Sequence, residues 1–202
     1  MEKIPTLFAR ERRSGKVTPD YNSEVLQPSL EWVATEKLNG INVRLTVRNE
    51  TVVRLEVRQP PSIKQREEGI THPWYRDALP EQEAHGDYWL WNAARNTNLS
   101  GVPDGEWEGE AVGPKIQKDS LGLPSHRVFL FSLIPWAETL EPGCPIPPIL
   151  NRVPLDYDSL MDWLPVQQSG VNPELGIEGI VWWFYDEPVA KIKTSDFRYG
   201  ID

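Results

Sequence analysis

The chain has 202 residues, 39% of them hydrophobic and 10% aromatic, with a formal net charge of −9. That size fits one domain with a sizeable core, and no apolar run is long enough for a membrane-spanning helix. A single cysteine, Cys144, excludes an internal disulfide and fits a reducing cytoplasm, while the acidic balance limits any nucleic-acid contact to a local basic patch.

The opening Met1-Glu2-Lys3-Ile4-Pro5 lacks the apolar core of a signal peptide. Arg10, Arg12, Arg13 and Lys16 then form a basic cluster. Residues 31–36 predict a strand running into Lys37, extending an apolar stretch that begins at Leu30. From 41 to 48 apolar and polar residues alternate, Asn49-Glu50 reads as a turn, and Val52 to Val57 alternates back, which together predict a β-hairpin ended by Pro60-Pro61. Arg44, Arg48, Arg54, Arg58, Lys64 and Arg66 make this the basic third of the chain, whereas acidic residues gather near Glu81 to Glu83, Glu106 to Glu110 and Asp156 to Asp162. A helix is expected over 86–96, a strand over 105–112 ending at Gly113-Pro114, and a continuously apolar strand over 128–134. A proline-rich loop, 142–154, carries Cys144, and 156–164 predicts a short amphipathic helix. Two strands, 177–185 and 189–192, are joined by Asp186-Glu187-Pro188. The layout is α+β: antiparallel sheets flanked by a few helices, in one domain spanning 1–202.

Lys37 lies in the string Glu36-Lys37-Leu38-Asn39-Gly40-Ile41-Asn42, between a strand and a glycine. The glycine lets the backbone turn tightly against a ligand, and a lysine amine pointing into that turn is a nucleophile once it loses its proton. Further along come Gly109-Glu110-Ala111-Val112-Gly113-Pro114, then Glu178-Gly179-Ile180-Val181, then Lys191-Ile192-Lys193. Lys191 and Lys193 alternate with isoleucine, so both amines project to one face. Two cations there are costly unless an anion joins them, and a triphosphate suits, with Arg44 or Arg58 adding bidentate contacts. One of Glu110 and Glu178 suits a divalent cation or its waters, and the other a ribose hydroxyl. Neighbouring cations are expected to favour the free amine at Lys37.

Each element has a plain alternative. A Lys-x-x-Gly arises by chance about once in a chain of this length, and lysines on an edge strand protect sheets from one another. His72, His85 and His126 lack metal-ligand spacing, and Trp182 and Trp183 read as packing residues. The joint order and flanks carry the signal.

In that order the elements resemble the covalent lysyl-nucleotidyltransferases, the superfamily of ATP-dependent RNA and DNA ligases and mRNA capping enzymes, and among them the RNA ligases most. The resemblance covers residues 31–198. It implies an ATP-grasp-like nucleotidyltransferase fold, with Lys37 taking AMP covalently from ATP. Glu36 and Asn42 flank that lysine, and Arg58 in Glu56-Val57-Arg58 matches the arginine one hairpin later. Glu110 matches the ribose-binding glutamate, with Glu108 the alternative by register. Phe131, or else Phe129, matches the adenine-stacking aromatic, the other of the two being core. Glu178 matches the carboxylate that meets Mg2+ or Mn2+ mostly through water, and Lys191 and Lys193 match the catalytic lysine pair that binds phosphate. Ser132 departs from the family's aspartate, and the nine residues after Lys193 imply that no OB-fold domain is appended.

The implied activity is an ATP-dependent RNA ligase that joins 5′-phosphate and 3′-hydroxyl ends in RNA repair, with a partner protein as one source of RNA-binding surface. Two other readings stay open: another covalent nucleotidyltransferase, such as an RNA guanylyltransferase or a DNA ligase, and a nucleotide- or RNA-end-binding module without turnover.

Overall fold

The computed structural model describes residues 3–25, 28–29, 31–79, 86–117 and 121–198. Leu30, His85 and the acidic Glu81 to Glu83 segment lie outside them. In chain order the elements are β1 (Phe8–Arg10), β2 (Val17–Tyr21), β3 (Val33–Glu36), β4 (Ile41–Arg48), β5 (Thr51–Gln59), α1 (Ile63–Glu67), β6 (Trp74–Asp77) and α2 (Asp87–Asn96). There follow β7 (Gly105–Val112), β8 (Arg127–Phe129), a 3-10 helix (Phe131–Trp136), β9 (Ile149–Leu150) and α3 (Tyr157–Trp163). The last elements are β10 (Gly179–Phe184), β11 (Glu187–Lys193) and a 3-10 turn (Thr194–Asp196). Among the described residues no helix is long and apolar enough to cross a membrane.

The chain divides into two compact units, one formed by Asn39–Ile146 and the other by Lys3–Leu38 together with the segment from Pro147 onward. The first carries a five-stranded sheet in the order β6-β5-β4-β7-β8, every neighbouring pair antiparallel. The alternation along β4 sends Val43, Leu45 and Val47 into a core shared with Leu55, Leu90, Ala93, Val128 and Leu133. Asn42, Arg44 and Thr46 consequently share the opposite face. The hairpin turn falls on Asn49 and Glu50, both with positive φ (49° and 57°), a pairing that matches the right-handed twist of the strands it joins.

The second unit carries the sheet β11-β10-β3-β9, again antiparallel throughout, and the two-stranded ribbon β1-β2. Leu7, Phe8, Ala34, Leu160, Leu164, Ile180, Trp182 and Ile192 make its core. Helix α3 is started by Asp156, whose carboxylate accepts from the Ser159 N–H at 2.9 Å.

Several expectations are corrected. The apolar stretch 128–134 is not one strand: β8 stops at Phe129, the Leu130 N–H turns to the Pro145 carbonyl, and Pro135, with no N–H to give a sheet, sits in the 3-10 helix that follows. A continuous apolar run carries no period to separate strand from helix. The last hairpin is tighter than expected, with Phe184 paired to Glu187 and Trp183 to Pro188, so the turn is Tyr185-Asp186. Strands β1, β2 and β6 and helix α1 lack alternation long enough to be read from sequence.

Candidate functional site

Lys37 follows directly on β3, and its N–H donates to the Gly179 carbonyl at 2.9 Å, extending the β3-β10 ladder by one residue. Across β10 and β11 the register places Gly179 opposite Lys193 and Val181 opposite Lys191. Cross-strand partners share a face, so Lys37, Lys191 and Lys193 project together from adjacent strands. Gly179 is required by contact: a Cβ there would lie 2.1 Å from the Ile192 carbonyl oxygen.

Glu178 precedes β10 and meets both flanking lysines. Its Oε2 accepts from Lys37 Nζ at 2.8 Å and its Oε1 from Lys193 Nζ at 2.6 Å. Burial alone would raise this carboxyl, but the hydrogen bonds and charges of Lys193 and Lys37 outweigh it and hold it below its ordinary value. The charge that Lys37 touches directly is therefore a carboxylate, and the expected cations Lys191 and Lys193 stand beside it on the same face. Lys191 has no ion-pair partner among the described residues. Burial, and then repulsion from Lys37, Lys193 and Lys3, lower its pKa. The result is a half-buried ammonium beside a Lys-Glu-Lys triad that itself keeps an excess of positive charge, a place where an anion gains most.

Glu36 points to the other side of β3. It is 1% exposed, its Oε2 accepts from the Gly170 N–H at 2.9 Å, and its Oε1 is buried without a hydrogen-bond partner among the described residues. Burial pushes this carboxyl up, and Ser169 and the Gly170 and Val171 N–H groups pull it only part of the way back. Lys37 and Glu36, adjacent in sequence, thus serve opposite faces of the sheet.

In the unit that holds the five-stranded sheet, three expected residues share its polar face. Asn42 and Glu110 are direct cross-strand partners on β4 and β7, and Arg58 on β5 is paired with Tyr75 on β6. Tyr75 links Arg58, its strand partner, to Asn42: its hydroxyl donates to Asn42 Oδ1 at 2.8 Å, and burial, followed by the nearby Glu108 carboxylate, raises its pKa. Tyr75 is not legible in the sequence, because β6 is too short to show a period. Glu110 Oε1 accepts from the Gly40 N–H at 3.0 Å and so braces the Lys-x-x-Gly turn. A Cβ on Gly40 would lie 2.1 Å from the Ala111 carbonyl oxygen. Glu108 stands opposite Arg44, and Arg44 is committed within the face, its Nε 2.8 Å from Glu56 and its guanidinium 4.5 Å above the Tyr75 ring.

Phe129 is the cross-strand partner of Glu110, whereas Phe131 begins the 3-10 helix. Both are buried, yet the core cluster of this unit is built from Val128, Leu130 and Leu133 and includes neither phenylalanine. Ser132 clasps the neighbouring strand, its hydroxyl accepting from the Glu108 N–H at 2.8 Å and donating to the Glu108 carbonyl at 3.1 Å. His126 packs on Trp89 and accepts from the Lys115 N–H, and Trp183 donates to Thr35, so these are packing residues.

Among the described residues no group of three or more His, Cys, Asp or Glu could hold a metal ion.

No family model matches the chain, and no curated protein matches it. Solved structures do. A mutant Naegleria gruberi RNA ligase with ATP and Mn gives a TM-score of 0.50 at 15% identity, covering 96% of this chain and 62% of that one. A mutant Naegleria gruberi RNA ligase R4a in its apo form and the Naegleria gruberi RNA ligase with PPi each give 0.49, at 16% and 15% identity and with the same coverage. This chain thus spans 62% of the length of the ligases it matches. At such identity the likeness shows architecture alone: mixed α/β with antiparallel sheets, an RNA ligase-like fold.

Proposed function

We propose that the chain is an ATP-dependent RNA ligase that works through a lysyl-AMP intermediate on Lys37. One observation carries the proposal: Lys37 and Lys193 are held on the two oxygens of Glu178, with Lys191, which has no ion-pair partner among the described residues, on the same sheet face. This arrangement gives a fixed amine, a nearby carboxylate and a cation awaiting phosphate.

In the first step the Lys37 amine gives its proton to solvent and its lone pair forms an N–P bond to the α-phosphorus of ATP. The bond to the bridging oxygen breaks and pyrophosphate leaves, its charge balanced by Lys191 and Lys193. An oxygen of an RNA 5′-phosphate then displaces Lys37 from that phosphorus. Finally a 3′-hydroxyl attacks the 5′-phosphorus, forming the phosphodiester and releasing AMP. Mg2+ or Mn2+, held by Glu178 mostly through water, would offset the negative charge of the triphosphate. The roles that the resemblance gives Glu36, Asn42, Arg58, Glu110 and Phe131 in binding the nucleotide belong to the same proposal, as do an RNA-repair role and a cytoplasmic setting. A matched ligase with ATP and Mn supports the choice of nucleotide and metal.

Incubation with α-labelled ATP and Mg2+ should label the wild-type chain covalently, and Lys37→Ala should stay unlabelled. Equal labelling of that variant would sink the proposal. Preference for GTP would favour a guanylyltransferase, and nucleotide binding without any label would favour a binding module.

A further inference from the structure

The unit that carries Lys37 also has a cleft of about 820 Å³ between the N-terminal segment and β11. The N-terminal segment runs along β11: the Leu7 N–H donates to the Lys191 carbonyl at 2.8 Å and the Lys191 N–H to the Pro5 carbonyl at 2.9 Å. The ribbon β1-β2 is then fastened to the residues just after Lys193. Arg10 meets Asp196 Oδ1 at 2.7 Å, Lys16 Nζ meets the Ser195 carbonyl at 2.6 Å, and Asp196 Oδ2 accepts from the Lys193 N–H at 2.9 Å. These bonds leave the cleft with a fixed wall.

Its charge runs against that of the whole chain. Lys3, Arg10, Lys191 and Lys193 line it, against Glu24 and Asp196. Asp196 is spent on Arg10, and Lys193 on Glu178. Lys3 and Lys191 are left without an ion-pair partner among the described residues. The same cleft has an aromatic plate. Tyr21 lines it and is 46% exposed, one side of its ring stacked on Phe8 at 5.3 Å and its hydroxyl anchored on the Leu155 carbonyl at 3.0 Å.

Cations without an ion-pair partner among the described residues, beside an anchored, half-exposed aromatic ring, are what a single nucleic-acid strand requires: charge for the phosphates and a surface for a base. Pyrophosphate or the triphosphate of ATP would use the cations and leave the ring idle. We infer that this cleft receives the 5′-phosphorylated end of a single RNA strand, with a base on Tyr21 and phosphates on Lys3 and Lys191. The inference rests on the ligase reading, and it assigns RNA contact to the N-terminal ribbon of this chain itself.

The test uses a fluorescent single-stranded oligoribonucleotide with a 5′-phosphate, the same strand with a 5′-hydroxyl, and AMP labelling in parallel. Wild type should prefer the phosphorylated strand. Tyr21→Leu should weaken binding on the order of ten-fold, and Tyr21→Phe should retain it. Lys3→Ala should lower the slope of log affinity against log salt by about 0.7, as for one lost phosphate contact on a single strand. Both Tyr21→Leu and Lys3→Ala should remain folded by circular dichroism and take AMP at the wild-type rate. Unchanged RNA binding by Tyr21→Leu overturns the inference. So does slowed AMP labelling of Lys3→Ala with intact RNA binding, which would assign the cleft to the nucleotide. An unlabelled wild type that still binds RNA in a Tyr21-dependent way overturns the ligase reading and leaves the cleft standing.

Discussion

Lys37 Nζ lies 2.8 Å from Glu178 Oε2, so the proposed nucleophile rests on the proposed metal-linked carboxylate. Before nucleotide arrives, Glu178 is the counter-ion of the lysine face. Glu178→Gln should therefore destabilise the nucleotide-free protein by about 1–2 kcal/mol, the partial exposure of the three groups keeping the loss small. Pyrophosphate should restore much of the lost melting temperature by supplying the missing anion. In wild type the contribution of this carboxylate is fully present above its unfolded value of 4.5 and is lost as pH falls through its lower folded value. The melting profile of the variant should lack that acid limb.

Lys191 predicts the reverse trade. It is a half-buried, repelled cation in the folded chain, so Lys191→Met should raise the melting temperature of the free protein while abolishing its stabilisation by pyrophosphate. A lysine with a lowered folded pKa binds fewer protons folded than unfolded between that value and 10.5. Wild-type stability should therefore rise with pH across that alkaline window, and the variant should show no such rise. A variant that melts lower than wild type and still responds to pyrophosphate would contradict this account.

The two motif glycines are fixed by backbone contact rather than by turn conformation. Gly40→Ala would drive a Cβ to 2.1 Å from the Ala111 oxygen, and Gly179→Ala to 2.1 Å from the Ile192 oxygen. Neither neighbour is a flexible side chain, so each substitution should cost roughly 3 kcal/mol or more in denaturant unfolding. Gly15, whose added Cβ would meet nothing within 4 Å, has a positive φ of 68° and should tolerate alanine at a smaller cost set by that backbone alone.

Glu36 carries a folded-state pKa above its unfolded value, so it binds extra protons on folding. Its favourable contribution is present below 4.5 and fades as pH rises through the folded value. Glu36→Gln keeps an acceptor for the Gly170 N–H without a charge to bury. Its stability relative to wild type should therefore grow from acid to neutral pH, as thermal melts across that range would show. A constant difference would mean that the carboxyl titrates alike in the folded and unfolded chain.

The strands that hold Lys37, Glu110 and Lys193 are legible in the sequence because each alternates cleanly or sits in a dense local motif. β4, β5, β7 and α2 fall within a few residues of their expected limits for the same reason. The ribbon β1-β2 is not legible. Phe8–Arg10 is too short to show a period, and Val17-Thr18-Pro19 contains a proline that argues against a central strand. Its residues act through contact with Ser195 and Asp196, far along the chain. For that reason the basic cluster reads as unassigned charge, and nothing in the sequence marks Tyr75 or Tyr21. The pairing of Lys37 with Glu178 is invisible because their motifs lie far apart in the chain and strand register alone brings them together.

The boundary between Leu38 and Asn39 separates the second unit's first strands from its last ones by the whole of the other unit. Thr35 meets Val181 across 146 positions, whereas the unit 39–146 is continuous. On the ribosome the continuous unit can fold as soon as it emerges, while β3 must wait for β10 and β11 before Lys37 gains Glu178 and Lys193. Contacts so distant along the chain form late and slowly. A nascent chain released before β11 should therefore still hold Glu178, the counter-charge of Lys37, but lack Lys191 and Lys193, the cations that the proposed phosphate chemistry needs.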